Sequence, residues 1–364
     1  MGVAILMICR LVSSTWNAVF LDKAVIKGGK GTLQVACYKL QGSNAGRYDY
    51  SVTHDFRPCN LKLETCNLKL VTFSVTLQLL ITMFKANFDI VPEMDAEELR
   101  NSQLLIEVGE KMFSFVIYNK EQRRFLALRQ YNLDYTPGKT MLENLLEIVT
   151  SDELLQSAFK DAYIVYNYTD SNFLPEKFFH IELNQPVTEV LYGNARKGLL
   201  LSEKVIGWKM YNIYRVPREI HALLQRKFAS GNYWHYYTLM LYDGQVQPSD
   251  GEQVIKMVMR ADQFLVAVFN GPTIQLIQSY AYQTPDDVSY YLLAICNRFN
   301  ISQEKVTLIV SGLLDEQSRL YQELLKYFLN VQWDRLPDTV KLDAVFREFP
   351  VHYFSPLLKM ALCV

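Results

Sequence analysis

No stretch of this 364-residue sequence supplies the glycines of a complete phosphate-binding P-loop. The segment YTPGKTMLENLL, residues 135–146, resembles one only at its end, Gly138-Lys139-Thr140. A P-loop needs another glycine five residues before its last one, and that position is Leu133. Without it the backbone cannot form the nest of N–H groups that surrounds phosphates, so Lys139 reads as a solvated residue in the first turn of a helix. Metal spacing is missing as well. His54, His180, His221, His235 and His352 pair with no second His or Cys at zinc-ligand distance, and Cys59 and Cys66 stand alone with six residues between them. There is no G-x-S-x-G elbow to present a serine nucleophile. A net charge of -1 gives no electrostatic reason to expect nucleic acid or an acidic membrane. The uncharged run Leu70–Phe84 falls short of the roughly 20 residues a spanning helix needs, so no membrane span is expected. The opening MGVAILMICR has no basic residue before its apolar stretch and makes a poor secretory signal.

Half of the residues are hydrophobic and 21% are charged, enough for a real core in two domains or one bilobed domain. The composition breaks near residue 83. Residues 1–82 hold Cys9, Cys37, Cys59 and Cys66 and nine Lys/Arg against four Asp/Glu, leaving 28 against 34 for the rest. They show little sustained period of either kind, whereas patterned sequence begins at MFKANFDIVPEMD. The expectation is that Met83 is the true start and that 1–82 is an unpatterned or disordered leader; a small extra domain is the alternative. Only Cys296 and Cys363 lie beyond the break, which fits a reduced, cytoplasmic protein.

Past Met83 the strongest signal is a repeat. GEKMFSFVIYN (Gly109–Asn119) aligns with RADQFLVAVFN (Arg260–Asn270), 151 residues later, pairing Phe113 with Phe264 and Asn119 with Asn270. The next strands, RRFLALRQY and TIQLIQSYAY, set Tyr131 against Tyr282. Each copy reads as a hairpin of strands. TPGKTMLENLLEIV (Thr136–Val149) then faces TPDDVSYYLLAICN (Thr284–Asn297), Leu145 meeting Leu293, each read as a helix with a Thr cap and Pro at its first position. On that alignment Gly138-Lys139-Thr140 lies opposite Asp286-Asp287-Val288. Strands AYIVYNY (Ala162–Tyr168) and VTLIVSG (Val306–Gly312) follow.

Two such lobes resemble the actin-like ATPase fold, a ribonuclease-H-like duplication. FDI (Phe88–Ile90), NIYRVPREIHALLQRKF (Asn212–Phe228), YAYQTPDDVSYYLLAICNRFNIS (Tyr280–Ser302) and LIVSGLLDEQSRLYQELLKYF (Leu308–Phe328) together resemble a bacterial family, domain of unknown function 3822, over about Met83 to Trp333. The fold expected is α/β, with two related lobes, each a mixed sheet with helices: residues 83–252 as lobe one and 253–364 as lobe two. The resemblance implies Mg-ATP in the cleft between lobes, held by three glycine-bearing turns. The first would use Glu107 toward hydrated Mg²⁺ and Gly109 for the turn, with Glu where Asp is usual and Glu110 where a small hydroxyl residue is usual. The second, MRADQ (Met259–Gln263), offers Asp262 and no glycine, so its backbone cannot come close to a phosphate. The third keeps Gly312 and has Leu313 in place of a second glycine.

The residual candidates have simpler readings. Asp286-Asp287 reads as helix-start charge. Tyr290-Tyr291 splits between sheet and surface. Pro217 opens a helix with Ile220, Leu223, Leu224 and Phe228 on one face. Trp234, Tyr236, Tyr237 and Tyr242 read as core first and partner surface second. Arg215, Arg218, Arg226 and Lys227 form a local basic edge, too small for nucleic acid. The tail FREFPVHYFSPLLKMALCV packs on lobe two or docks on another chain. The functional expectation is a non-catalytic or weakly nucleotide-binding scaffold for a protein partner, with a Mg-ATP-dependent ATPase, kinase-like enzyme or switch as its rival. Aromatic side chains filling the cleft would count against the rival.

Overall fold

The computed structural model describes residues 86–133, 138–193, 197–242, 249 and 251–364, together with the backbone of two short strands, β1 (Ile26–Gly29) and β2 (Thr32–Val35). The chain divides into two units, Met1–Gln78 and Leu79–Val364. In the first, β1 and β2 pair antiparallel. The expectations about the leader and the start at Met83 otherwise lie outside the described residues, and the helix expected to open at Thr136-Pro137 begins instead at Met141 with Thr140 as its cap.

The second unit is built on two sheets of one plan. In the first, β4 (Gln103–Gly109), β5 (Met112–Asn119) and β6 (Arg124–Asn132) form an antiparallel meander. Then β7 (Asp161–Asn167) adds parallel to β4, and β11 (Asn232–His235) adds parallel to β7. In the second, β12 (Gln253–Met259), β13 (Gln263–Asn270) and β14 (Thr273–Ala281) make the meander, and β15 (Thr307–Gly312) and β16 (Asn330–Trp333) extend it in parallel. Numbered within each copy, both orders are 3-2-1-4-5. Even a register shift repeats: it falls between Ile117 and Tyr118 in one copy and between Val268 and Phe269, 151 residues on, in the other.

Two expected pairings are corrected, the first by the ladders. Phe113 faces Tyr131 and Phe264 faces Tyr280, so the counterpart of Tyr131 is Tyr280, not Tyr282. The second hairpin turn is two residues shorter, which moves everything after it. The helices correct the other. α2 (Met141–Ser151) is capped by Thr140, in a capping box with Glu143, whereas α6 (Pro285–Phe299) is capped by Thr284 in a box with Asp287 and carries Pro285 in its first turn. Aligned on their caps, Gly138-Lys139-Thr140 lies opposite Tyr282-Gln283-Thr284, and Leu145 opposite Ser289 rather than Leu293. The slip is four residues, close to one helical turn, so the apolar stripe kept its phase in both alignments. Buried Ile148 and Leu292 stand in register on the corrected one.

Strand alternation sorts the core into layers. Leu104, Ile106 and Val108 of β4 face an outer core with α2 and with α4 (Arg218–Lys227), whose Ile220, Leu223 and Leu224 are buried as the sequence predicts. Val288, Leu292, Leu320 and Leu324, from α6 and α7 (Arg319–Tyr327), cover the far face of the second sheet. Between the sheets, Leu105, Val116, Val254 and Val258 share one core with α5 (Tyr236–Tyr242) and α8 (Ser355–Cys363). The tail packs on the second lobe, as one expectation had it, with His352 Nε2 2.8 Å from the Leu314 carbonyl, and the segment around it reaches the first lobe as well. β17 (Lys341–Leu342) pairs with β6 of the first sheet, β3 (Phe88–Ile90) pairs with β6 as well, and the Phe88 ring lies 5.0 Å from that of Phe354. α1 (Ala96–Arg100) leads into β4. A third sheet, β8 (Ser171–Pro175), β10 (Met210–Val216) and β9 (Leu199–Val205) in that order, is inserted after β7 with α3 (Asn184–Tyr192).

Both helix caps are testable. Thr140→Ala and Thr284→Ala should each lower stability by about 1 kcal/mol in urea denaturation, with no change in the slope of the transition.

Candidate functional site

In open α/β sheets, ligands gather at the carboxyl ends of the parallel strands, and the four candidate residues lie there. Because Glu107 stands two residues after Leu105 along β4, it shares the face turned to the central layer. Its side chain is 3% exposed. Arg260, just past β12, reaches it: Nη2 donates to Glu107 Oε1 at 2.5 Å, and Asn167 Nδ2 donates to the same oxygen at 2.7 Å. The Arg260 guanidinium lies 5.1 Å from the centre of the buried Tyr236 ring, and its Nη1 meets Met112 Sδ at 3.3 Å. Burial works against the charge of this guanidinium, but the Glu107 carboxylate and Tyr236 more than offset it, so the pKa of Arg260 is raised.

Above that pair a second one joins the same two turns. Lys111 Nζ meets Asp262 Oδ2 at 2.5 Å, with both side chains about half exposed. Lys111 and Asp262 are counterparts in the two copies, as are Gly109 and Arg260, since the ladders set Val108 against Phe113 and Met259 against Phe264. Equivalent turns thus grip each other across the central layer with opposite charges. The second turn is also closed on itself: the Arg260 N–H donates to the Gln263 carbonyl at 2.9 Å, and Tyr282 OH donates to the Arg260 carbonyl at 2.9 Å.

The glycines have local structural reasons. Gly312 has φ +81°, and a Cβ there would lie 2.1 Å from the Met259 carbonyl oxygen, so no other residue fits. A Cβ on Gly109 would lie 3.0 Å from the Asn167 carbonyl oxygen. Thus Glu107 meets Arg260 directly, Asp262 joins through Lys111, and Gly312 lies beside Met259, the residue before Arg260. After Gly312, Asp315, Glu316, Ser318, Trp333 and His352 line a groove of about 660 Å³. The Trp333 ring is stacked with Tyr321 at 4.7 Å and with His352 at 4.0 Å.

A second polar cluster lies under the inserted sheet. His235 is fully buried; its Nε2 lies 3.0 Å from the Tyr168 carbonyl, and its Nδ1 accepts from the Tyr237 N–H at 3.2 Å. Ser171 Oγ is 3.3 Å from that Nδ1 but donates to Asn212 Oδ1 at 2.7 Å, and Asn212 in turn donates to Thr238. Burial pushes the His235 imidazole down to about 3, against the pull of the Tyr168 carbonyl. Burial likewise pushes the Glu203 carboxyl up to about 7, although Thr238, the His235 N–H and Tyr214 hydrogen-bond to it. A neutral imidazole sealed from solvent orders this end of the sheet and is not placed to activate a nucleophile. Arg215, expected on a basic edge, is buried and paired with Asp170 at 3.1 Å. Tyr236 and Tyr237 are core, Tyr291 packs 4.6 Å from Tyr280, and Tyr290 is exposed. Among the described residues no group of three His, Cys, Asp or Glu could hold a metal ion, and no helix is long and apolar enough to cross a membrane.

The sequence reading missed Arg260, Lys111, Asn167 and Tyr236 as parts of one site. A signal was there: the 151-residue alignment of Gly109–Asn119 with Arg260–Asn270 already sets Gly109 against Arg260 and Lys111 against Asp262.

Residues 92–331 match the family described as Protein of unknown function (DUF3822). No curated protein sequence matches the chain. Among solved structures, it is similar to a Bacteroides thetaiotaomicron protein with actin-like ATPase fold and unknown function, at 18% identity and TM-score 0.60, over 67% of this chain and 94% of that one. It also matches a PilM–PilN type IV pilus biogenesis complex (11% identity, 72% and 97% covered, TM-score 0.47) and the ethanolamine utilization protein EutJ from Carboxydothermus hydrogenoformans (10%, 80% and 98%, 0.36). The first of these shows the fold: two α/β lobes of the actin-like ATPase kind.

Arg260→Ala should destabilise the protein by about 3–5 kcal/mol, because it strands the Glu107 carboxylate, whereas Glu107→Leu with Arg260→Met should cost far less in the same denaturation assay. Glu203 has a higher pKa folded than unfolded, so its contribution to stability is fully present below its ordinary value of 4.5 and is lost as pH rises through about 7. Glu203→Gln should therefore gain stability relative to the parent across that window, by roughly 2–3 kcal/mol in urea titrations, with His235 common to both proteins and cancelling.

Proposed function

This chain belongs to the DUF3822 family, and we propose that it works as a cytoplasmic interaction scaffold, non-catalytic or weakly nucleotide-binding, on an actin-like ATPase fold. The observation that carries this reading is the pair of ionic links, Glu107–Arg260 and Lys111–Asp262, between the turns that the family resemblance assigns to phosphate. A phosphate turn works through free backbone N–H groups and an anion-sized space. Here Arg260 puts a guanidinium where its counterpart has Gly109, and the carboxylate assigned to hydrated Mg²⁺ already accepts from Arg260 and Asn167. These residues do not fit Mg-ATP, and Tyr236 lies beneath them as aromatic filling. Glu107, Gly109, Asp262 and Gly312 on this reading hold the lobes together. A protein partner is supported by apolar side chains left in solvent on the inserted segment, among them Phe178, Ile181, Val190, Leu191 and Ile206.

The rival reading, a Mg-ATP-dependent enzyme or switch, rests on the convergence of the same residues at the strand ends. Thermal unfolding of the full chain separates the two. A ligand at a hundred times its dissociation constant stabilises a fold by about 2.7 kcal/mol. No change in midpoint with millimolar Mg-ATP or Mg-GTP is expected. A shift of several degrees with Mg-ATP that disappears in the exposed-site variant Asp262→Ala would sink the scaffold reading; Gly312 is unsuitable as that control, because its Cβ space belongs to Met259.

A further inference from the structure

The two sheets end in matching edges that are treated in opposite ways. β6 and β14 are each the third strand of a meander and occupy the same place in the strand order. The outer side of β6 is covered. β3 lies antiparallel on it, with Phe88 opposite Gln130, Asp89 opposite Arg129 and Ile90 opposite Leu128, and β17 adds at Arg124 and Phe125. The cover is electrostatically matched: Arg129 Nε donates to Asp89 at 2.7 Å, and Arg124 pairs with Asp343. Among the described residues no strand covers β14.

An uncovered edge presents a row of unpaired N–H and C=O groups, and proteins usually blunt such edges with Lys, Pro, a bulge or a covering loop. β14 reads TIQLIQSYA: nine residues with no charge and no proline. Its counterpart to Arg129 is Gln278, by the pairings Phe113–Tyr131 and Phe264–Tyr280. The register shift lies near the start of the strand, opposite Ile274 and Leu276, and leaves 276–281 in regular register with β13. Cores flank the strand on both sides. Ile274 and Ile277 pack toward the central layer and Leu276 and Tyr280 toward α6, all of them half-buried. A further strand would complete the burial on both faces.

We infer that the β14 edge is an interaction surface for a second copy of this chain, β14 pairing antiparallel with β14 about a two-fold axis so that two five-stranded sheets become one. Charge complementarity selects this occupant. On β6 the incoming Asp89 finds Arg129; on β14 a charged strand would meet only Gln278 and its neutral neighbours and lose water without a partner. The strand that suits a neutral edge of glutamines interspersed with aliphatic residues is a neutral strand of the same composition, and β14 is one. Antiparallel pairing of identical strands is self-complementary, so the contact closes at two copies instead of propagating. This inference does not depend on whether nucleotide binds between the lobes.

Sedimentation of the full chain, from micromolar to near-millimolar concentration, tests it against Gln275→Lys with Gln278→Lys. Both glutamines are exposed, so the variant should keep the parent's fold, read as an unchanged far-ultraviolet circular dichroism spectrum. The parent should sediment as a dimer, and the variant, which brings like charges together across the axis, should dissociate at least about tenfold more readily. Backbone hydrogen exchange within 273–281 should be slow in the parent and faster in the variant. A parent that stays monomeric throughout, leaving the edge for a strand of another protein, overturns the inference. So does a dimer that the two lysines fail to weaken, or one in which exchange within 273–281 is unchanged.

Discussion

A carboxylate and a guanidinium buried between two sheets constrain everything around them. Glu107 is on the inner face because β4 alternates, and a charge there is tolerable only with a partner of opposite sign and hydrogen bonds for its remaining lone pairs. Arg260 and Asn167 meet that requirement. In doing so they fix where β4, β7 and β12 end relative to one another, and therefore how the two lobes face. Tyr236 under the guanidinium ties α5 into the same arrangement. The Glu107–Arg260 link between the two turns is thus a property of the core and not of a surface loop.

The layer structure explains how one plan can serve twice without two identical lobes. Each sheet keeps its own outer core, α2 with α4 on one and α6 with α7 on the other, while α5 and α8 are shared between them. The inserted sheet belongs only to the first lobe, and its polar cluster around His235 and Asn212 lies at the junction of β10, β11 and α5. A neutral histidine accepting at one nitrogen and facing a carbonyl at the other is a directional joint, which an apolar residue of equal volume would not provide.

Much of this was legible in the residues. Strand alternation, the 151-residue offset as far as β5 and β13, the Thr284-Pro285 cap and the apolar face of α4 follow from local chemistry, and the ladders and helices agree with them. The failures have equally specific causes. The Leu145–Leu293 pairing failed because a four-residue slip leaves a helix's apolar stripe in phase, so periodicity cannot detect it. Tyr131 was set against Tyr282 because the second turn has two fewer residues, which a fixed offset ignores. Arg215 looked like part of a basic edge because burial beside Asp170 depends on an insertion whose packing no short window encodes. At the cleft, the residue types were visible one by one, but their pairing required the ends of two distant strands to be superposed.

The placement of α8 carries a consequence for how the molecule is assembled in time. Ser355–Cys363 fill the layer against which Leu105, Val116 and Phe125 are buried, although those residues are synthesised more than two hundred positions earlier. The outer core of the first lobe can form from local pieces as the chain emerges. Its inner face stays without its cover until the last helix has been made, so the earliest-made lobe is among the last to be completed. Throughout that interval the largely apolar inner face is exposed to other chains, the condition under which partly built proteins depend on chaperones.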